Sequence, residues 1–178
     1  MSLCLCGNTL PLFMPNFSIR PATEQDVPLI LSFIQQLADY ERLSHEAIMT
    51  EQSLRESLFG PRRHAEVLLG YADAQPVAFA VFFHNFSTFL GRAGLYLEDL
   101  FVIPEMRGKR YGQAMLVELA RIARERKCGR VEWAVLDWKE PAIGFYKRLG
   151  AVPMDEWTIF RDTGDALERL ANTTVKTC

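Results

Sequence analysis

Leu100-Phe101-Val102-Ile103-Pro104-Glu105-Met106-Arg107-Gly108-Lys109-Arg110-Tyr111-Gly112-Gln113-Ala114 is the stretch on which the fold turns. It reads as a buried strand stopped by a proline, a short loop of glycines and cations, and a helix start. The first N–H groups of a helix lack intrahelical partners, and the helix dipole places partial positive charge there. Such an end holds phosphate or pyrophosphate. Arg107, Lys109 and Arg110 strengthen that reading. A triphosphatase loop needs Gly-Lys followed by Ser or Thr, which is missing here. A dinucleotide loop needs three spaced glycines after a first strand, and this loop comes too late in the chain. The plain alternative is a solvated basic turn with Gly108 and Gly112 as punctuation.

Outward from this loop, the second half alternates strand and helix. Leu95–Ile103 is a strand, and Gly112–Arg126 a helix with Met115, Leu116, Leu119, Ile122 and Ala123 on one face. Arg130–Leu136 is a strand. A helix then runs from Pro141 to Leu149 and stops at Gly150. Glu156–Arg161 is expected as a last strand and Asp165–Leu170 as a short helix. In the first half, Phe17–Arg20 is a strand. Thr23 and Asp26 make a capping-box-like start to a helix reaching Tyr40. A second helix covers Thr50–Leu58. Ala65–Tyr71 and Val77–Phe83 form a hairpin across Asp73–Pro76, and His84–Gly94 is expected as a loop. A hairpin pairs antiparallel and a strand–helix–strand unit pairs parallel, so the sheet is expected to be mixed.

The 178 residues carry 20 Lys+Arg against 22 Asp+Glu and are 49% hydrophobic, which suits one globular domain with a real core. Residues 1–16 are expected to be an extension, 17–170 the domain and 171–178 a tail. Near-neutral charge argues against a nucleic-acid coat, and no apolar run is long enough to span a membrane. Cys4, Cys6, Cys128 and Cys178 make no disulfide framework, and no ligand set accompanies Cys4 and Cys6. Neither a metal nor a membrane is expected, and a reducing, cytoplasmic setting fits. Met1–Phe13 is apolar with no leading cation, hence a poor signal peptide, and Met14 stands as an alternative start.

The loop Arg107-Gly108-Lys109-Arg110-Tyr111-Gly112 resembles the Arg/Gln-x-x-Gly-x-Gly/Ala loop of the GNAT superfamily of acetyl-CoA-dependent N-acetyltransferases, with Arg110 at the middle glycine position. Ile19-Arg20-Pro21-Ala22-Thr23, Leu37-Ala38-Asp39-Tyr40-Glu41, Tyr96-Leu97-Glu98-Asp99-Leu100-Phe101-Val102 and Glu140-Pro141-Ala142-Ile143-Gly144-Phe145-Tyr146-Lys147-Arg148-Leu149-Gly150-Ala151 resemble its diamine and thialysine acetyltransferase branch. The resemblance covers roughly 17–170. It implies an α/β (α+β) GNAT fold: a mixed, mostly antiparallel sheet with a splayed parallel strand pair, flanked by helices. It implies transfer of acetyl from acetyl-CoA to a primary amine of a small molecule, by direct attack with both bound, in a homodimer. A protein amino group as acceptor, or a non-catalytic acyl-CoA-binding module, are the alternatives.

By the same resemblance, backbone groups of Leu100, Phe101 and Val102 meet the pantetheine. Arg107, Gly108, Lys109, Arg110, Tyr111, Gly112 and Gln113 hold the pyrophosphate. Lys139 stands where the family often has Asn beside the coenzyme, with Ala142 near it. Tyr146 matches the tyrosine facing the thioester sulfur, and Glu98 the acid facing the acceptor amine. Tyr40, Glu41 and Asp155 fall on the acceptor side; Asp99, beside Glu98, and Trp157, as a packing residue walling the pocket, are added to it from their place in the chain.

This chemistry asks for these residue types. With a pKa near 10.4, only ~0.04% of an alkyl ammonium is neutral at pH 7, a deficit of about 4.6 kcal/mol. Carboxylates bind the cation, and one of them, or a water it orients, takes the proton. A tyrosine hydroxyl protonates the departing thiolate without prior charge. Strict alternation would put Glu98 with Leu100 and Val102, and Asp99 with Leu97 and Phe101. Either acid among apolar neighbours points to function, a buried ion pair, or a β-bulge that turns one out to water. Ser87-Thr88-Phe89-Leu90 carries no acid to grip a long polycation, which favours a shorter amine.

Overall fold

The computed structural model describes residues 16–175. Most of the expected extension 1–16, with Cys4 and Cys6, lies outside them, as does Cys178. Two compact units are distinguished, Met1–Ala134 and Val135–Cys178.

The first unit is built on a five-stranded sheet of β1 (Phe17–Pro21), β2 (Glu66–Ala72), β3 (Gln75–Ser87), β4 (Arg92–Val102) and β5 (Val131–Trp133), in that spatial order. The pairs from β1 to β4 are antiparallel, and β4 with β5 is parallel. The mixed sheet matches the expectation from the alternating half of the sequence. Helix α1 (Val27–Glu41) enters through a short 3-10 turn, where the Thr23 N–H and hydroxyl both donate to the Asp26 carboxylate at 2.7 and 2.8 Å. Arg20 donates to both oxygens of the same carboxylate at 2.8 and 2.7 Å, and to the Tyr71 hydroxyl at 2.6 Å. These bonds tie β1, β2 and the start of α1 together. Helix α2 (Glu51–Phe59) starts at Thr50, whose hydroxyl accepts from the Ser53 N–H.

Helices α1 and α2 cover one sheet face. Ile30, Phe33 and Leu37 of α1 and Leu58 of α2 bury against Val67, Leu69, Phe79 and Phe101. The Phe33 and Phe79 rings stack at 5.3 Å, and Phe101 meets both edge-on at 6.3 Å. Helix α3 (Tyr111–Glu125) packs on β3 and β4 with Met115, Leu116, Leu119 and Ala123 buried, as its periodicity predicts. Tyr111 is buried too, against Ala72 and Val77, and stacks on Phe17 at 4.3 Å. Arg126, at the end of α3, makes a two-pronged ion pair with Glu66 and holds that carboxyl below its usual range.

Three expected segments are corrected. His84–Gly94 is largely strand: β3 runs to Ser87 and β4 begins at Arg92, leaving a tight turn with Gly91 at φ +62°. Its polar residues hide a ladder from sequence alone. Strand β5 stops at Trp133 instead of Leu136. Glu156–Arg161 forms no strand among the described residues; Trp157, Ile159 and Phe160 are exposed and lack a paired ladder, which a strand requires. The second unit contains α4 (Glu140–Arg148) and α5 (Gly164–Ala171).

Candidate active site

The ladder of β3 and β4 fixes where the acids of β4 point. Phe82 pairs with Leu97 and Val81 with Asp99, so Glu98 is the extra residue of a β-bulge. Directly paired residues share a face. Before the bulge Leu97 lies beside Phe82; after it Leu100 and Val102 lie beside Ala80 and Ala78. The parity of the strand therefore flips at Glu98, and the alternation expected for Tyr96–Val102 does not hold. Phe101 joins the α1 face and is buried, Asp99 is half-buried on that same face opposite Val81, and Glu98 is exposed. A charged carboxylate is thereby kept in water, on a strand whose flanks are apolar.

Strand β5 pairs with β4 only at Leu95, Tyr96 and Leu97. From Glu98 to Val102 no strand among the described residues pairs with β4 on that side, and the Val102 carbonyl accepts from Arg107 Nε. This is the splay expected of the parallel pair.

Beyond β4, Pro104–Met106 makes one 3-10 turn and the loop 107–110 leads into α3. Gly108 has φ +77°, and a Cβ there would meet nothing within 4 Å. Arg110, the N-cap of α3, also lies in the left-handed region at φ 65°, ψ 11°. That geometry explains why glycine would suit its position. Lys109 and Arg110 are exposed beside the α3 N-terminus, and Gln113 is half-buried in its first turn. A Cβ on Gly112 would meet only Val102 Cγ2, at 3.7 Å. Protein packing alone does not demand that glycine. Tyr111 differs from its neighbours: its side chain is committed to the core, so only its backbone N–H faces the loop. An exposed 15-residue helix terminus with open glycines and two cations is chemically suited to a pyrophosphate.

The Arg107 side chain is placed otherwise than its sequence neighbours suggest. Its Nε donates to the Val102 carbonyl at 3.0 Å. Its guanidinium lies 4.1 Å from the Tyr40 ring centre and 5.6 Å from that of Phe101. Tyr40 and Glu41 form the last turn of α1, which ends at Arg42 in the left-handed conformation. The structure thus brings Tyr40, Phe101, Val102 and Arg107 together, a grouping that no local pattern announces.

In the second unit, Lys139 is the half-buried N-cap of α4, its carbonyl accepting from the Ala142 N–H at 2.9 Å. Tyr146 is half-buried beside Phe145, and burial pushes its phenol above the ordinary value. Asp155 sits in an exposed turn, and the exposed Trp157 donates its N–H to the Met154 carbonyl. Among the described residues no cluster of His, Cys, Asp and Glu could hold a metal. No helix among them is long and apolar enough to cross a membrane.

Residues 33–151 match the acetyltransferase (GNAT) family model. The chain is 38% identical over 164 residues to a thialysine N-epsilon-acetyltransferase of Bos taurus, covering 86% of this chain and 96% of the relative. It is 32% identical to an L-ornithine N5-acetyltransferase of Arabidopsis thaliana, covering 92% and 93%. An integron cassette protein from the mobile metagenome of V. cholerae superposes with a TM-score of 0.75 at 26% identity, over 88% of this chain and 98% of that one. The open β4 edge, the cationic turn into α3 and these relatives agree, and the chain belongs to the GNAT family as an N-acetyltransferase.

Proposed function

We propose that this enzyme transfers an acetyl group from acetyl-CoA to a primary amine of a small molecule, a diamine or polyamine or an amino acid of the thialysine or ornithine kind. The observation that carries the reading is the bulge at Glu98, which sets an exposed carboxylate next to the open edge of β4. The named relatives act on amines of this class. The residues fit the coenzyme: Gly108 and Gly112 leave room, Lys109 and Arg110 supply charge, and the N–H groups of Tyr111, Gly112 and Gln113 face outward without intrahelical partners. Lys139 and Ala142, at the start of α4, are assigned to the coenzyme as well.

Bound acetyl-CoA supplies the activated thioester. Of Leu100, Phe101 and Val102, the N–H groups of Leu100 and Val102 face away from β3 and would polarise its carbonyl. Glu98 and Asp99, with Tyr40 and Glu41, receive the amine as a cation; Asp155 and Trp157 are assigned to the acceptor from the sequence alone. Glu98, directly or through a water, takes the ammonium proton, which frees the nitrogen lone pair to attack. As the new C–N bond forms and the C–S bond breaks, Tyr146 gives its proton to the sulfur; its raised phenol pKa keeps that proton in place at neutral pH. Holding both substrates together supplies much of the remaining acceleration. The catalytic domain spans 17–170, acts as a homodimer, and works in the reducing cytoplasm that its scattered cysteines suit.

The test is an acceptor panel with acetyl-CoA: thialysine, ornithine, lysine, putrescine, spermidine, spermine and an amino-terminal peptide, followed by CoA release. The short amines are expected to turn over fastest. Preference for spermine overturns the expectation of a shorter amine, and preference for the peptide overturns the acceptor class; acetyl-CoA binding with no acceptor turned over overturns the reaction.

A further inference from the structure

We propose that Arg107 is a positioning residue that couples the coenzyme loop to the amine side, rather than a phosphate ligand. The inference rests on the acetyl-transfer reading above. Its basis is the stack already described: the guanidinium lies over Tyr40 at 4.1 Å and near Phe101 at 5.6 Å, while Nε is spent on the Val102 carbonyl at 3.0 Å. A planar cation over one ring and near a second, with its Nε held by a backbone acceptor, holds its neighbours in one arrangement. Lysine cannot reproduce that, because its ammonium is a compact point charge.

The neighbours belong to different functions. Arg107 opens the loop that receives the pyrophosphate. Tyr40 and Glu41 are the last turn of α1, on the acceptor side, and Arg42 closes that helix in a left-handed conformation. Phe101 and Val102 sit on the splayed edge. Ordering the loop around the coenzyme therefore orders Arg107, and through it the ring of Tyr40. Such coupling is reciprocal: if the coenzyme tightens the amine, the amine tightens the coenzyme by the same factor.

The test compares wild type with Arg107→Lys, Tyr40→Leu and the double variant, reading amine KM, acetyl-CoA Kd and amide exchange at 38–43 with and without acetyl-CoA. Arg107→Lys is expected to raise amine KM about 3- to 10-fold, the size of one partly exposed cation–π contact, while acetyl-CoA Kd moves less than about twofold. The double variant is expected to be no worse than the poorer single one, since both remove the same contact. Acetyl-CoA is expected to slow exchange at 38–43 in wild type and not in Arg107→Lys. If Arg107→Lys weakens acetyl-CoA as much as the amine, its side chain is a phosphate ligand and the proposal falls. Additive single effects, or exchange at 38–43 that ignores acetyl-CoA in wild type, also overturn it. A wild type that transfers no acetyl but shows the exchange response overturns the function and leaves the coupling standing.

Discussion

Arg110 should be a place where stability has been given up. It is a non-glycine residue at φ 65°, ψ 11°, and it puts a cation at the N-cap of a 15-residue helix. Two effects separate cleanly. Arg110→Ala removes the charge opposed to the helix dipole, a gain of about 0.3–1 kcal/mol, and keeps the strained conformation. Arg110→Gly removes the charge and also the left-handed penalty of about 1–2 kcal/mol, against an entropic loss of about 0.5–1 kcal/mol for glycine. The glycine variant should gain about 0.3–2.5 kcal/mol in all, centred on ~1.4. At 2–4 °C per kcal/mol for a chain of this size, that raises Tm by roughly 1–10 °C, with alanine between glycine and wild type. Thermal and urea unfolding of the three proteins would measure it, with the urea slope unchanged across the set. Glycine no more stable than alanine would refute the strain argument; both less stable than wild type would refute the dipole argument too. Salt should narrow the alanine gain and leave the glycine–alanine difference alone, because only the first is electrostatic.

Glu98→Gln should fold like wild type, since the side chain is exposed, and lose about 10²- to 10⁴-fold in kcat/KM, the range for a general base, measured by CoA release. A loss under about tenfold would move the proton to another group. Tyr146→Phe should keep acetyl-CoA affinity in calorimetry while kcat falls about 10²-fold or more; equal losses in binding would make Tyr146 a packing residue. Asp26 should govern acid stability. The hydrogen bond from Arg20 holds its carboxyl well below the usual carboxylate range, so its contribution is full above the unfolded value near 3.9 and fades as pH falls toward the folded one. Asp26→Asn should therefore destabilise at pH 7 and flatten the acid limb of Tm against pH; an unchanged limb would refute the assignment.

What was legible in the sequence was local. Thr23 and Asp26 stand three residues apart and close a cap; Met115, Leu116, Leu119 and Ala123 recur at helical spacing and are buried together. The turn 107–112 could be read because its cations and glycines are contiguous. The illegible features depend on register or on distant chain. Adjacent acids among apolar neighbours in Tyr96–Val102 leave a β-bulge as one reading, but its place at Glu98 is defined only relative to β3, where one unpaired residue flips every later side chain. The Arg107–Tyr40 stack joins residues from the loop and from α1. Tyr111 looked like part of the loop because it sits among cations, yet its ring is core, for a reason that lies at the other end of the domain.

That reason begins with a glycine. A Cβ at Gly70 in β2 would fall 2.7 Å from Phe17 Cζ, so the bare backbone leaves a slot for the Phe17 ring. Phe17 fills it and presents its other face to Tyr111, the first residue of α3. The seat of the first residue of α3 thus depends on a missing methyl group on a different strand. A Gly70→Ala change would displace the ring, then the helix start, then the donors. A clinician or engineer scanning only the loop would overlook it: an apparently silent glycine on β2 acts as the sight by which the start of α3 is trained.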